Sequence, residues 1–137
     1  PPSGEIFDMF MVVAKYYIRK SVYNASNVPE FQMVCPDEPS PEQLEEWEVA
    51  KEQASRLGWK PYMYDPGLPH LLARLKDLSS LIIAGKQDDI VPASVAETYR
   101  DSIAGAELVL LDNCGHLPEL EKTDELISLV NGFLSKP

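Results

Sequence analysis

Residues 79–92 read SSLIIAGKQDDIVP, and residues 106–121 read AELVLLDNCGHLPELE. Each stretch begins with a short apolar run without polar alternation, which is typical of a strand buried in a parallel sheet. The sequence between them, PASVAETYRDSIAG, has the amphipathic spacing of a helix and ends at a glycine. This order of strand, helix and strand predicts two parallel neighbouring strands joined by a right-handed crossover.

The rest of the chain is predicted to be mainly helical. A closing helix is expected over KTDELISLVNGFL, at residues 122–134, and a short one from about His70 to Leu75. In the first half, helices are expected over residues 5–24 and 40–58, the second beginning with a capping box of Ser40 and Gln43. Residues 24–40 contain many turn-forming residues and are expected to form a loop. The apolar residues expected to face inward are Ile6, Phe10, Val13 and Tyr17 in the first helix and Leu126, Leu129, Val130, Phe133 and Leu134 in the last.

Polar residues follow both predicted strands. Asp88 and Asp89 come shortly after the first strand, and His116 comes shortly after the second. Because parallel strands end at the same edge of a sheet, we expect an aspartate and His116 to meet there. A carboxylate that accepts a hydrogen bond from one imidazole nitrogen fixes the tautomer of a histidine that acts as a base. The simpler alternative is an inert, hydrogen-bonded loop histidine.

The segments GKQDDIVP and NCGHLPELEKTDELISLVNGFL resemble the last two strand-and-loop segments of the α/β-hydrolase superfamily. In that family the catalytic acid lies in a G-x-x-D-x-x-[VF]-P segment and the catalytic histidine in a C-G-H or G-G-H segment. The resemblance implies that Asp88 is the acid, with Asp89 as the alternative, and that His116 is the base. It also implies an α/β fold in which residues 1–65 form a helical cap and residues 66–137 form the C-terminal part of the core.

The nucleophile of that family is not recognisable in this sequence. It lies in a G-x-S-x-G turn between a strand and a helix. No two glycines of this chain are four residues apart; they are Gly4, Gly58, Gly67, Gly85, Gly105, Gly115 and Gly132. The chain thus resembles a hydrolase whose nucleophile-bearing N-terminal half is absent.

Composition excludes several other classes of protein. A net charge of −10 argues against a nucleic-acid or anionic-membrane partner, which would need a positive surface. No apolar run approaches the roughly 18 residues of a membrane span. Cys35 and Cys114 form no CxxC motif or metal-ligand cluster, and no secretory signal is visible, so we expect a cytoplasmic protein without a metal or cofactor.

Two functional hypotheses follow from these patterns. In the first, the chain is part of a hydrolase of an ester or similar acyl substrate, with a small apolar substrate contacting Trp59, Tyr62 and Met63. An epoxide hydrolase or a carbon–carbon bond hydrolase of the same fold is an alternative within that class. In the second, the chain is a non-catalytic fragment or binding module. Because two strands make a poor isolated sheet, either hypothesis predicts pairing with a complementary chain or self-association.

Overall fold

The computed structural model describes residues 1–2, 6–58 and 64–136. These residues form seven α-helices, two β-strands and two short 3₁₀ helices. The α-helices are α1 (Ala14–Lys20), α2 (Pro29–Val34), α3 (Pro41–Gly58), α4 (Leu68–Leu72), α5 (Ala93–Ser102), α6 (Pro118–Glu121) and α7 (Thr123–Leu134). The strands are β1 (Leu81–Gly85) and β2 (Glu107–Leu111), and the 3₁₀ helices are Met9–Met11 and Ala25–Asn27.

The two strands form the parallel pair that the sequence predicts. Leu81 lies opposite Glu107, and Gly85 lies opposite Leu111. Helix α5 crosses between them and packs on both strands, with Val95 completely buried. It is followed by Gly105, whose φ of +76° is a backbone conformation that glycine adopts without strain. The strand–helix–strand prediction is therefore confirmed, and both strands end at one edge of the sheet.

The single helix predicted over residues 5–24 is wrong. The 3₁₀ helix at Met9–Met11 is separated from α1 by Val12 and Val13, whose backbones are extended. Two side chains of α3 hold this break: Lys51 Nζ donates to the Val12 carbonyl at 2.6 Å, and Glu48 Oε1 accepts from the Ala14 amide at 2.6 Å. These tertiary hydrogen bonds override the local helical pattern, and Val13 is left exposed rather than facing inward.

Residues 24–40 are not the loop that their turn-forming residues suggest. They contain the 3₁₀ helix at Ala25–Asn27 and helix α2, which begins at Pro29. Val28, Phe31 and Cys35 of this region are buried and pack with Val22 in one apolar cluster. Their i, i+3, i+7 spacing is helical, but polar neighbours obscure it in the sequence.

The predicted start of α3 is confirmed in detail. The Gln43 amide donates to Ser40 Oγ at 3.2 Å, and the Ser40 amide donates to Gln43 Oε1 at 3.1 Å. This reciprocal pair is the capping box, which satisfies amides that a helix start would otherwise leave unpaired. Helix α3 packs against α1, and its Trp47 contacts the Val22 cluster.

Helix α7 forms where the sequence predicts it, but its apolar face is only partly covered. Leu126, Leu129 and Phe133 are half-buried, whereas Val130 and Leu134 are exposed, contrary to the prediction that they face inward. Ile127 is exposed as well. The described residues therefore leave a row of apolar side chains on α7 without a covering element.

Candidate active site

The turn after β1 fixes the Asp88 carboxylate. Oδ1 accepts hydrogen bonds from the amides of Ile90 and Val91, both at 2.8 Å. An aspartate that bonds the amides two and three residues onward stabilises a tight turn and loses its own rotational freedom. The side chain is only 6% exposed, and its second oxygen, Oδ2, is directed to the neighbouring loop.

His116 lies in the loop after β2 and meets Asp88 as predicted. Its Nδ1 lies 2.9 Å from Asp88 Oδ2. Its backbone amide donates to the Ser21 carbonyl at 2.8 Å, so the peptide as well as the ring is held. Nδ1–H donates to a carboxylate in this arrangement, and the neutral ring then carries its lone pair on Nε2. Nε2 has no hydrogen-bond partner among the described residues and is available as a base.

Close approach of the two loops requires Gly85 at the end of β1. A Cβ added to Gly85 would overlap the carbonyl oxygens of Gly115 and Cys114. The loops are further joined through Gln87, whose amide donates to the Cys114 carbonyl at 2.9 Å and whose Oε1 accepts from the Cys114 amide at 3.2 Å. The glycine thus lets the His116 loop pack directly on the turn that carries Asp88.

The surroundings of His116 favour its protonated form. The hydrogen bond to Asp88 raises the pKa of the imidazole above its usual 6.5, burial opposes this, and the charges of Asp88 and Glu119 raise it further. An acidic partner that stabilises the imidazolium makes the ring a stronger proton acceptor. The arrangement can therefore take up a proton at Nε2 during a reaction near neutral pH.

The structure separates the two candidate acids. Asp89 is largely exposed, and its Oδ2 pairs with Lys20 Nζ at 2.9 Å instead of with His116. Cys114 is fully buried, and burial raises the pKa of its thiol to about 11. A protonated, inaccessible thiol is not a nucleophile, so we interpret Cys114 as a packing residue.

His116 lies on the wall of two cavities. The first cavity, of about 320 Å³, is lined by consecutive residues of β1 together with α5, Asp88 and Glu119. Because successive strand residues face opposite sides of a sheet, a cavity lined by all of them follows the strand edge. That edge is the one that β2 does not occupy.

The second cavity, of about 310 Å³, lies between the first-half helices and the Asp88 turn. Its described lining is apolar apart from two side chains, His116 and Tyr17; the apolar side chains include Ile6, Phe7, Met9, Phe10, Ile90 and Val91. Burial raises the pKa of the Tyr17 hydroxyl, and the nearby Asp88 charge adds to this rise. Tyr17 is therefore a neutral hydrogen-bonding group in an otherwise apolar space beside the histidine.

Sequence reasoning found part of this site and missed part. Asp88 and His116 are brought together, whereas Trp59, Tyr62 and Met63 lie outside the described residues. Tyr17 was expected to face inward from the first helix and was not singled out as a site residue, since nothing local distinguishes it from its aromatic neighbours. In the described ranges, no three His, Cys, Asp or Glu side chains are grouped as metal ligands. Among the same residues, no helix combines the length and apolar character needed to cross a membrane.

Known proteins resemble this chain in sequence and in architecture. No protein-family model matches the chain. A proline iminopeptidase of Lactobacillus crispatus is 34% identical over 90 residues, which are 61% of this chain and 30% of that protein. A 2-hydroxymuconate semialdehyde hydrolase of a Pseudomonas species is 37% identical over 57 residues, which are 42% of this chain and 20% of that protein.

A solved structure covers more of the chain. The 2-hydroxy-6-oxo-6-phenylhexa-2,4-dienoate hydrolase of a Rhodococcus species matches with a TM-score of 0.65 at 28% identity, covering 90% of this chain and 43% of that one. These relatives are α/β hydrolases, and this chain resembles them in sequence and in fold. It carries a part of the fold, because it spans about 30% of the iminopeptidase and less than half of the solved structure.

Proposed function

We propose that this chain is part of an α/β hydrolase that cleaves an ester or similar acyl substrate, with His116 as its base and Asp88 as its acid. The observation that carries the proposal is the 2.9 Å contact between His116 Nδ1 and Asp88 Oδ2. Oδ1 of the same carboxylate is held by two backbone amides, so the acid is oriented before any substrate binds.

The proposed reaction uses a serine carried outside this sequence. As the serine Oγ attacks the substrate carbonyl, its proton passes to His116 Nε2, and the imidazolium is stabilised by Asp88. His116 then returns that proton to the leaving alkoxide, and the acyl-enzyme forms. A water molecule, deprotonated by the same nitrogen, then attacks the acyl group. The carboxylic acid product leaves, and His116 returns the proton to the serine Oγ.

The second cavity is the proposed site for the apolar part of the substrate. Its described lining contains no lysine, arginine, aspartate or glutamate, and His116 forms one wall. A pocket of this composition binds an uncharged apolar group, and Tyr17 offers one hydrogen bond to orient it. This supports a small neutral ester as substrate.

We further propose that another polypeptide segment packs along the unpaired edge of β1. The first cavity follows this edge and reaches His116 and Asp88. A strand placed there would extend the two-stranded sheet and bring its following loop close to the histidine. Such a segment is the proposed carrier of the nucleophile.

Hydrolysis of a carbon–carbon bond is the second candidate. It is favoured by the likeness to proteins named as semialdehyde and dienoate hydrolases. A dienoate substrate carries a carboxylate, for which the described lining of the second cavity offers no cation. The same preparation would be assayed with phenyl acetate, a proline anilide and a 2-hydroxy-6-oxodienoate. Their relative turnover would rank ester, amide and carbon–carbon bond hydrolysis.

The test of the proposal is phenyl acetate hydrolysis by the protein that carries this chain, compared with its His116→Ala variant. We expect turnover to fall by a factor on the order of 10³ or more, because His116 acts first as general base and then as general acid. Asp89→Asn is the matched control and should retain turnover. Unchanged hydrolysis in His116→Ala would exclude the proposed role, and absence of hydrolysis of all three substrates by the unmodified protein would favour a non-catalytic binding module.

The cytoplasm is the proposed compartment. Cys35 and Cys114 are both free and buried, and no disulfide joins them in the described part of the chain. Free thiols are typical of reducing compartments. Fractionation of cells with an antibody to this chain would test the assignment.

A further inference from the structure

We propose that Glu121 is a positioning residue, which holds the His116 loop against the segment that follows α1; this inference rests on the proposed function. Glu121 Oε1 accepts from the Gly115 amide at 2.8 Å, and Glu121 Oε2 accepts from the Tyr23 amide at 2.8 Å. One carboxylate therefore joins two backbone segments that are distant in sequence. One of these amides belongs to the residue directly before His116.

The helical turn after the histidine brings Glu121 back to the start of its own loop. The Glu121 amide donates to the Leu117 carbonyl at 3.0 Å, and α6 begins at Pro118. This single turn folds the side chain toward Gly115. Hydrogen bonds from neutral amides to a carboxylate are stronger than bonds between neutral groups, so the contact is well suited to fixing a loop.

Packing at Gly115 shows how closely the two segments approach. A Cβ at this position would lie 2.7 Å from the Tyr23 nitrogen and 3.0 Å from the Val22 carbonyl carbon. The next amide along the loop, that of His116, donates to the Ser21 carbonyl. Two successive loop amides are thus bound, one directly by the 21–23 segment and one through Glu121.

These contacts give His116 three points of attachment. Asp88 fixes the ring, Ser21 fixes the peptide, and Glu121 fixes the preceding peptide. Removing Glu121 leaves Asp88 in place but releases one end of the loop. A loop that shifts by about 1 Å misaligns a base and lowers turnover by roughly 10²-fold.

The experiment compares Glu121→Ala and Glu121→Gln with the control Asp124→Asn, in the protein that carries this chain. Asp124 lies in the first turn of α7 and is exposed, and no hydrogen bond of its side chain occurs among the described residues. Its variant therefore removes a negative charge near the loop without removing either contact of Glu121. We expect kcat for phenyl acetate to fall about 10²-fold in Glu121→Ala with little change in KM. The kcat of Glu121→Gln should fall less, because the oxygen of the glutamine side chain can still accept from one of the two backbone amides.

A second readout separates this proposal from the proposed function. Proton exchange of the Gly115 and Tyr23 amides, followed by NMR, should accelerate in Glu121→Ala and stay unchanged in Asp124→Asn. Equal amide exchange in the two variants would overturn the positioning role, as would equal kcat. If His116→Ala leaves hydrolysis unchanged, the proposed function fails, while the exchange measurement still decides whether Glu121 holds the loop.

Discussion

At the scale of single residues, the two carboxylate oxygens of Asp88 have different partners and different roles. Oδ1 binds the Ile90 and Val91 amides, and Oδ2 binds His116 Nδ1. The first task fixes the position of the carboxylate, and the second fixes which nitrogen of His116 carries the proton. Asp89, its neighbour, takes part in neither and pairs with Lys20 at the surface.

Asp88→Asn should therefore preserve the turn and invert the histidine tautomer. The asparagine oxygen can still accept from the two amides, but its NH₂ group would donate to Nδ1, so that Nε2 carries the proton and is no longer a base. We expect kcat for phenyl acetate to fall by a factor on the order of 10⁴ with little loss of stability. Steady-state kinetics and thermal unfolding of Asp88→Asn and Asp89→Asn measure both effects; equal turnover in the two variants would contradict the assignment of the acid.

The pH dependence of hydrolysis should follow His116. The Asp88 hydrogen bond and the Asp88 and Glu119 charges raise the pKa of the imidazole. Since only the neutral ring accepts a proton, activity should rise with pH, with a midpoint above 6.5. Glu119→Gln removes one charge that favours the imidazolium, so the pKa falls and the midpoint should move to lower pH. The pH profile of kcat/KM measures this midpoint, and Asp124→Asn is the control. A shift of the midpoint to higher pH in Glu119→Gln would contradict the electrostatic account.

At the scale of elements, the junction of β1 with the His116 loop depends on one glycine. Gly85→Ala places a Cβ on the carbonyl oxygens of Gly115 and Cys114, and backbone must move to accommodate it. We expect destabilisation by more than about 2 kcal/mol and loss of hydrolysis. The comparison is Gly132→Ala in α7, where a Cβ meets nothing within 4 Å and should stabilise the helix by about 1 kcal/mol. Denaturant unfolding measures both; similar stability of the two variants would contradict the packing described for Gly85.

The sequence predicts those elements whose structure is decided locally. Strands β1 and β2, helix α5 and the α3 capping box follow from patterns within a few residues, and the Asp88–His116 contact follows from parallel topology. The break before α1 could not be predicted, because Glu48 and Lys51 lie more than 30 residues away from the backbone groups that they bind. A role for Glu121 in positioning the histidine loop could be considered from its place in the sequence, but its partners could not be identified, since one of the two is Tyr23, 98 residues away.

At the scale of the whole molecule, two uncovered apolar surfaces lie on α7 and along β1. Helix α7 exposes Ile127, Val130 and Leu134, and β1 has an unoccupied edge lined by an apolar cavity. A two-stranded sheet is marginal in water, and three or more strands normally share such a core. We propose that a further part of the fold covers these surfaces.

A polypeptide of residues 1–137 alone should therefore self-associate. We expect sedimentation velocity to give a species larger than the monomer, because the β1 edge and the α7 face remain uncovered. Leu134→Lys, at a side chain that is 72% exposed, should weaken the association without disturbing the folded core. A monomeric polypeptide with cooperative unfolding would contradict the interpretation of these surfaces.

The most direct test of the central claim is the intact-mass spectrum, under denaturing conditions, of the purified protein after reaction with a fluorophosphonate. Such a reagent bonds covalently to a serine activated by a histidine. We predict one adduct per active site, on a serine outside residues 1–137, and its loss in His116→Ala. An adduct on a serine within residues 1–137, or an equal adduct in His116→Ala, would contradict the claim that His116 and Asp88 serve a nucleophile supplied by another segment.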